Sequence, residues 1–248
     1  MKRDLLRVSL PARLVREFGG FLCTRPGKIA WPGGVVSFTF DDFPRSAWEN
    51  GGAILEDYAS YGTYYAAMGL AGTANHLGPM FEVDDLRAAH DRGHEVACHT
   101  FSHRDCARMP VVQIAAEIDQ NAAALSQVLD GAPVTNFAYP FGGVSQAAKS
   151  ALARRFGSCR GTGRGLNRGI TDLADLLSTS LYSHNFDRNR LCQLIEDAQA
   201  ENAWLIFYTH DVADDPSPFG CTPAQFQSIV AYAAESVPVL PVRDVLAG

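Results

Sequence analysis

No run of apolar residues in this 248-residue chain approaches the roughly 18 that a membrane-spanning helix needs. Neither sign of charge dominates. Lys plus Arg number 21 and Asp plus Glu 27, a net charge of −6 with no Lys/Arg cluster, which excludes the electrostatic footprint of a nucleic-acid binder. Cysteine pairing is missing as well. Cys23, Cys98, Cys106, Cys159, Cys192 and Cys221 lie far apart with no Cys-x-x-Cys, so they read as reduced thiols. The start has no apolar secretion core, because Asp4, Arg7, Pro11, Arg13, Arg16 and Glu17 interrupt the stretch after Met1-Lys2-Arg3. That pattern predicts a cytoplasmic protein. Repeats, low-complexity tracts and a dinucleotide glycine fingerprint are absent too.

What is present suits a globular chain with one sizeable core: 47% of the residues are apolar. Residues 1–34 form a preface, with a short helix expected near Pro11–Phe18 and a Gly/Pro-rich stretch at Arg25–Gly34. Beyond it strands and helices alternate. The pattern predicts strands at Val35–Phe40, Thr63–Met68, His94–Cys98, Val134–Tyr139, Trp204–Thr209 and Val237–Leu240. It predicts helices at Ala47–Ser60, Val83–Asp91, Val111–Leu129, Ser145–Phe156, Asn189–Glu201 and Pro223–Glu235, and leaves Gly157–Gly169 as a strand end and loop. Such alternation argues for a mainly parallel α/β fold, and about seven strand–helix units favour a barrel over an open sheet.

Polar clusters follow four of these strands. They are Asp41-Asp42, His99-Thr100-Phe101-Ser102-His103, Tyr139-Pro140-Phe141-Gly142 and Thr209-His210-Asp211. In a parallel barrel the C-terminal strand ends converge on one face, where active sites sit. His99 and His103, four apart, place two imidazoles on one side of a helical turn, a usable pair of metal ligands. His90 and His94 share that spacing, but Gly93 marks a helix end between them, and a structural role fits them better. A cap or turn needs only one Asp. Two adjacent acids at the end of an apolar strand point opposite ways, so one suits a cation and the other a base beside cation-bound water. His210 closes an apolar strand, where a core histidine and a functional one are both open; its shared face favours function.

Thr39-Phe40-Asp41-Asp42, His99-x-x-x-His103, Phe137-Ala138-Tyr139-Pro140-Phe141-Gly142 and Tyr208-Thr209-His210, in this order and approximate spacing over 35–245, resemble successive motifs of the polysaccharide deacetylases, the NodB-homology or carbohydrate esterase family 4 enzymes. The resemblance implies a distorted (β/α)7 barrel of NodB-homology type over 35–248, with 1–34 as an N-terminal extension packed on it. It implies a hydrolase that removes N-acetyl groups from an amino-sugar-containing saccharide or glycan precursor, using one divalent metal ion: Zn2+, or else Co2+ or Ni2+. By matching position, Asp42, His99 and His103 would be the metal ligands, Asp41 the general base and His210 the acid that protonates the leaving amine. The backbone N–H of Phe141 would hold the oxyanion, with Tyr139, Pro140 and Gly142 completing that substrate loop.

Three departures stand out. Phe43-Pro44 follows the acidic pair where many members have Gly-Pro. Ala138 stands where many have an Arg that orients the base, and Arg164 or Arg168 are candidates to replace it. The Asp that normally pairs with the catalytic His is not evident, with Asp172 the first choice and Asp175 the second. His184 reads as a surface residue that could also line the site. Phe43, Trp48, Tyr139 and Phe141 could stack on a sugar or lie in the core. Three other readings stay open: a hydrolase of another C–N bond, such as a cyclic amide or ureide; a saccharide-binding descendant without catalysis; and a two-His-one-carboxylate iron oxygenase. The substrate partner is an N-acetylated saccharide, with no nucleic acid and no transmembrane segment expected, and the oligomeric state is not specified by the sequence.

Overall fold

The computed structural model describes residues 23–248, so the helix expected near Pro11–Phe18 lies outside the described residues. The strands are β1 (Pro26–Ile29), β2 (Val35–Asp41), β3 (Thr63–Ala66), β4 (Ala74–Asn75), β5 (Gly78–Pro79), β6 (Glu95–Cys98), β7 (Asn136–Ala138), β8 (Ser158–Arg160), β9 (Gly169–Asp172), β10 (Thr179–Ser180) and β11 (Trp204–Thr209). The helices are α1 (Ala53–Asp57), which continues a π-helical stretch Ala47–Gly52, α2 (Val83–Asp91), α3 (Val111–Val128), α4 (Gln146–Leu152), α5 (Arg188–Ala200), α6 (Pro223–Ser236) and α7 (Val242–Ala247). No helix among the described residues is long and apolar enough to cross a membrane.

Seven strands pair in parallel in the order β10-β11-β2-β3-β6-β7-β8 and curl into a distorted barrel. The seam lies between β8 and β10. There the Cys159 N–H donates to the Leu173 carbonyl, Leu176 N–H to Cys159, Gly161 N–H to Leu176, and Ser178 N–H to Gly163. An irregular segment thus does the work of an eighth strand. Outside the ring, β1 pairs antiparallel with β9, and β4 with β5.

The composition of β2 follows from burial on both sides. All seven of its residues are buried. Val36, Phe38 and Phe40 face the helices, where Phe226 of α6 lies 5.4 Å from the Phe38 ring and 5.5 Å from the Phe40 ring. Each such buried ring stabilises the docked helix by roughly 1.5–3 kcal/mol. Gly51 allows the π-helical stretch to close on this face, since a Cβ there would stand 2.8 Å from the Phe40 ring.

The alternate residues point inward and stack in layers. At the bottom, Val35, Leu176, Trp204, Ile206, Val242 and Val245 form an apolar plug. Above it runs a polar ladder. Thr63 Oγ1 donates to Glu95 Oε2 (2.8 Å), Asn136 Nδ2 to Glu95 Oε1 (2.6 Å), and Ser158 Oγ to Asn136 Oδ1 (2.8 Å). The top layer holds Asp41, Tyr65, Ala97, Ala138 and Arg160: register pairs Asp41 with Tyr65, Tyr65 with Ala97 and Ala138 with Arg160, and Tyr65, Ala97 and Ala138 pack together. Ala97 and Ala138 are small, which leaves room in this layer for the Tyr65 ring and the Arg160 side chain.

Some expected elements differ. Val237–Leu240 makes a single parallel bridge, Val36 to Val239, because Pro241 turns the chain into α7, which pattern reading missed. The pattern also lacks β9 and β10, which are short and carry no apolar run. The helix from Ser145 ends at Leu152 rather than Phe156.

His94 is a structural residue. Its Nδ1 accepts from the Gly62 N–H (3.0 Å) and its Nε2 faces Glu56 Oε1 at 3.2 Å. Burial, then the charges of Arg92 and Arg243, push its pKa from 6.5 down to about 4. The unfolded chain therefore takes up a proton that the folded chain refuses. Stability should fall by about 3 kcal/mol as the pH drops from 6.5 to 4. Urea midpoints at pH 7, 6, 5 and 4 should show a steeper acid loss in the wild type than in His94→Gln; parallel curves would remove His94 as the cause.

Candidate active site

The acidic pair splits at the end of β2. Asp41 is the last strand residue and its carboxylate meets the Arg160 guanidinium inside the barrel. Asp42 leaves the strand with φ 62°, a left-handed conformation that turns its side chain toward the β6 end. Side-chain alternation alone would not have given this direction; the left-handed residue does.

His99 follows β6 directly. Its Nδ1 lies 2.8 Å from the Ala138 carbonyl, which can only accept, so that nitrogen carries the proton and Nε2 turns its lone pair to the site. His103 does not sit on a helical turn, contrary to the expectation from its spacing. The segment 99–103 is a loop with left-handed residues at Thr100 (φ 61°) and His103 (φ 50°). Glu117 of α3 holds that loop by accepting the N–H groups of Phe101 (3.1 Å) and Ser102 (2.7 Å).

Asp42 Oδ1 lies 2.9 Å from His103 Nε2 and 3.4 Å from His99 Nε2. Burial alone would raise the Asp42 carboxyl; the two imidazoles override it and hold it far below the usual carboxylate range. Yet Oδ1, fully buried, makes no hydrogen bond of proper geometry. The three ligand atoms lie within 4.8 Å of one another. Two imidazole nitrogens and one carboxylate oxygen aimed at a common point, rather than at each other, fit a divalent metal ion. The histidine orientation by a backbone carbonyl fits it as well.

The cation paired with Asp41 is neither Arg164 nor Arg168. Arg168 pairs with Glu201 away from the acids, and Arg164 lines a separate small cleft with Asn185 and Asp187. The cation that meets Asp41 is Arg160. It is the register partner of Ala138 on the adjacent strand, so its guanidinium enters the same layer from one strand over. It is fully buried between the Tyr65 ring (5.1 Å) and the Tyr208 ring (4.9 Å), and Nη1 donates to the Gly161 carbonyl (3.0 Å). Burial would lower its pKa, but Asp41 and the flanking groups raise it, so the guanidinium stays charged.

His210 follows β11 and lines the same cavity. Its Nδ1 lies 3.2 Å from the Phe219 carbonyl, and neither Asp172 nor Asp175 reaches it. Both of those carboxylates pair with Lys149, at 2.7 Å and 3.6 Å, on the far side of the Phe141 loop. Burial pushes the His210 imidazole down, with Asp41 and Asp42 opposing.

The cavity has a volume of about 410 Å³, and Asp41, Asp42, His99, His103, Phe141 and His210 all line it. Phe141 (φ 59°) is 62% exposed, with its ring 4.4 Å from that of His103. Gly142 lines the wall beside it; a Cβ there would stand 2.2 Å from Thr162 Oγ1. Tyr139 and Pro140 are not at the cavity. The Tyr139 ring packs on Phe137 in the outer core and its hydroxyl donates to the Ala174 carbonyl (2.8 Å), while Pro140 is buried beneath the turn. Phe43 and Trp48 are core residues around Tyr64, and His184 sits outside against the Pro218 carbonyl. Sequence reading missed Arg160, His76, Thr162, Tyr182 and Phe219. Only Arg160 left a readable signal, a charge inside the stretch expected to be a strand end; the others come from loops that the fold alone brings together.

The sequence model for polysaccharide deacetylase matches residues 28–157, just over half of the chain. No curated protein sequence matches the chain. Among solved structures, the chitin deacetylase of the fungal pathogen Colletotrichum lindemuthianum is similar with a TM-score of 0.62 and 16% identity, covering 90% of this chain and 92% of that one. A family 4 acetyl xylan esterase from Clostridium thermocellum, solved in complex with a cobalt ion, gives 0.60 and 17%, covering 86% and 90%. A family 4 carbohydrate esterase from Bacillus subtilis gives 0.58 and 11%, covering 89% and 84%. These likenesses show a shared barrel. Together with the sequence match over half its length, they make this chain a member of the polysaccharide deacetylase family, a hydrolase that deacetylates carbohydrate.

Proposed function

We propose that the protein removes N-acetyl groups from an amino-sugar-containing saccharide or glycan precursor with one divalent metal ion. The observation that carries this reading is the convergence of Asp42, His99 and His103 beside an Asp41 clamped by Arg160, in one cavity with His210. Asp42, His99 and His103 would hold the ion. The mixed nitrogen–oxygen donor set suits zinc, and cobalt or nickel after it. Bound there, the ion would supply a water acidified toward neutrality and a Lewis acid for the acetyl carbonyl.

The remaining roles belong to the chain's own groups. Asp41 takes the proton of the attacking water, and Arg160 holds its carboxylate in place. The Phe141 N–H donates to the developing oxyanion. His210 protonates the leaving amine: its Nδ1–H rests on the Phe219 carbonyl, which leaves Nε2 for the transfer. With its pKa lowered, the half-buried imidazole, once protonated, is a strong acid toward the departing amine. Phe141 on one side and Tyr182 and Phe219 on the other wall a space for the sugar ring.

Elemental analysis should find about one zinc or similar ion per chain in the wild type and a loss of it in His99→Ala. Asp41→Asn should keep the ion and lose acetate release; retained turnover would remove Asp41 as the base. Arg160→Ala leaves a buried carboxylate unpaired, so acetate release should drop about a hundredfold. Adding Ala138→Arg to that variant should recover part of it, because both positions feed one layer. His210→Gln should slow amide hydrolysis by about 10² or more while hardly changing hydrolysis of 4-nitrophenyl acetate, whose leaving group needs no proton. Equal losses on both substrates would mean that His210 acts otherwise.

A further inference from the structure

Asp211 closes the polar cluster after β11, and the mechanism gives it no task. It is 3% exposed and does not line the catalytic cavity. One residue takes both of its carboxyl oxygens: Oδ2 accepts the Ser217 N–H (2.7 Å) and Oδ1 the Ser217 hydroxyl (2.5 Å). Gly220 closes over this carboxyl, where a Cβ would stand 2.4 Å from Asp211 Cγ. The loop between is shut at its base, because the Asp211 carbonyl accepts the Cys221 N–H (3.0 Å) and Val212 bridges to Cys221.

This clamp sets the position of the Phe219 carbonyl. Ser217 Oγ, held by Asp211, accepts the Phe219 N–H (3.1 Å). The Ser217 carbonyl accepts the Gly220 N–H (3.1 Å), which belongs to the same peptide unit as the Phe219 carbonyl. Ser217 lies between Pro216 and Pro218, and a residue before proline is confined to extended conformations. The next three carbonyls each receive a donor from outside the loop: Pro218 from His184 Nδ1 (3.0 Å), Phe219 from His210 Nδ1 (3.2 Å) and Gly220 from the Ser183 N–H (2.8 Å). The Phe219 carbonyl also takes the His210 backbone N–H (3.1 Å). One peptide unit therefore fixes the imidazole, in a loop where Phe219 is 43% exposed. A carbonyl sets a tautomer only as firmly as its own position is set. Asp211 is the buried group that sets it.

We propose that Asp211 is a positioning residue for His210. Through Ser217 it holds the Phe219 carbonyl, and so keeps the His210 proton on Nδ1 and leaves Nε2 for the leaving nitrogen. The proposal rests on the reading of His210 as the acid, and adds a group that acts only through Ser217 and Phe219. A carboxyl at this remove supplies the order that an aspartate paired directly with the histidine would supply.

Two variants break the clamp at different points. Asp211→Asn turns an amide N–H2 toward a Ser217 donor. Ser217→Ala, at a half-buried loop position, removes the hydroxyl and carries the test if Asp211→Asn fails to fold. The metal-loaded full chain is assayed with di-N-acetylchitobiose as amide and 4-nitrophenyl acetate as ester. The ratio of amide to ester turnover should fall about tenfold in Asp211→Asn and about threefold in Ser217→Ala, with the amide KM unchanged. Added to His210→Gln, which already lacks the acid, Asp211→Asn should lower the ratio by less than about twofold. Imidazole nitrogen-15 spectra at pH 8, above the ordinary histidine range, read the same point without turnover. The His210 Nδ1–H signal, assigned by its loss in His210→Gln, should be strong in the wild type and give way to Nε2–H in both clamp variants. A ratio that neither clamp variant lowers, losses that multiply in the double variant, or an Nδ1–H signal that neither clamp variant moves overturns the positioning role. Equal losses of amide and ester turnover in the clamp variants overturn it too. If His210→Gln itself lowers both turnovers alike, the acid reading falls, and the spectra alone decide whether Asp211 positions His210.

Discussion

Two carboxylates on adjacent residues, both buried, cannot share one environment, and most of the site follows from how each is matched. Asp41 stays in the strand and meets a guanidinium inside the barrel; Asp42 turns out of it and meets two imidazoles. An unpaired buried carboxylate costs several kcal/mol or changes its protonation state. The matching groups must therefore arrive from other strands at one level. Parallel strands of similar length do this by themselves, because their C-terminal ends lie together. The fold brings β6, β8 and β11 to the acids, and the charge requirement decides which residues stand there.

The same requirement bears on the strained backbone at the site. Asp42, Phe43, Thr100, His103 and Phe141 all have φ near +50 to +62° and none is glycine. Such positions cost of order 1–3 kcal/mol each and persist only where the surroundings fix them. At Phe43 the compensation is visible. The ring is fully buried, stacked 4.9 Å from Phe81 and 4.5 Å from Tyr64. A glycine would relieve the backbone but leave that space empty, and filling a core site of this size is worth more than the relief. The departure from Gly-Pro therefore leaves the left-handed turn in place and anchors it from below with an aromatic side chain.

Much of the barrel was legible because its strands are apolar runs bounded by charge or glycine. Trp204–Thr209 and Val83–Asp91 have the bounds that periodicity assigns. The acids and histidines were legible because they end those runs. Three kinds of residue were not. Short strands without an apolar run give no signal, so β9 (Gly-Ile-Thr-Asp) and β10 (Thr-Ser) stayed hidden. Aromatic residues at loop tips, such as Phe219, look the same in a core as in a cleft. Contacts across the sheet carry no linear spacing. The partner of His210 was sought among aspartates because a carboxylate is the obvious acceptor, whereas the structure gives the role to the Phe219 carbonyl, an atom that every residue possesses.

Arg160 shows why spacing alone misplaces a group whose job is defined in three dimensions. Within one barrel layer, a side chain on β7 and its register partner on β8 reach the same interior point from neighbouring positions. What that point demands is a cation of fixed direction, flat enough to lie between Tyr65 and Tyr208 and forked enough to hold Asp41 and the Gly161 carbonyl together. A guanidinium meets these demands and an ammonium does not. It also needs an unfilled path, and the alanine at 138 provides one. The absent arginine and the buried one are thus a single feature: a small residue on β7 is the steric condition for a long one on β8. A linear motif records the first as a loss, while the layer contains the same charge as before.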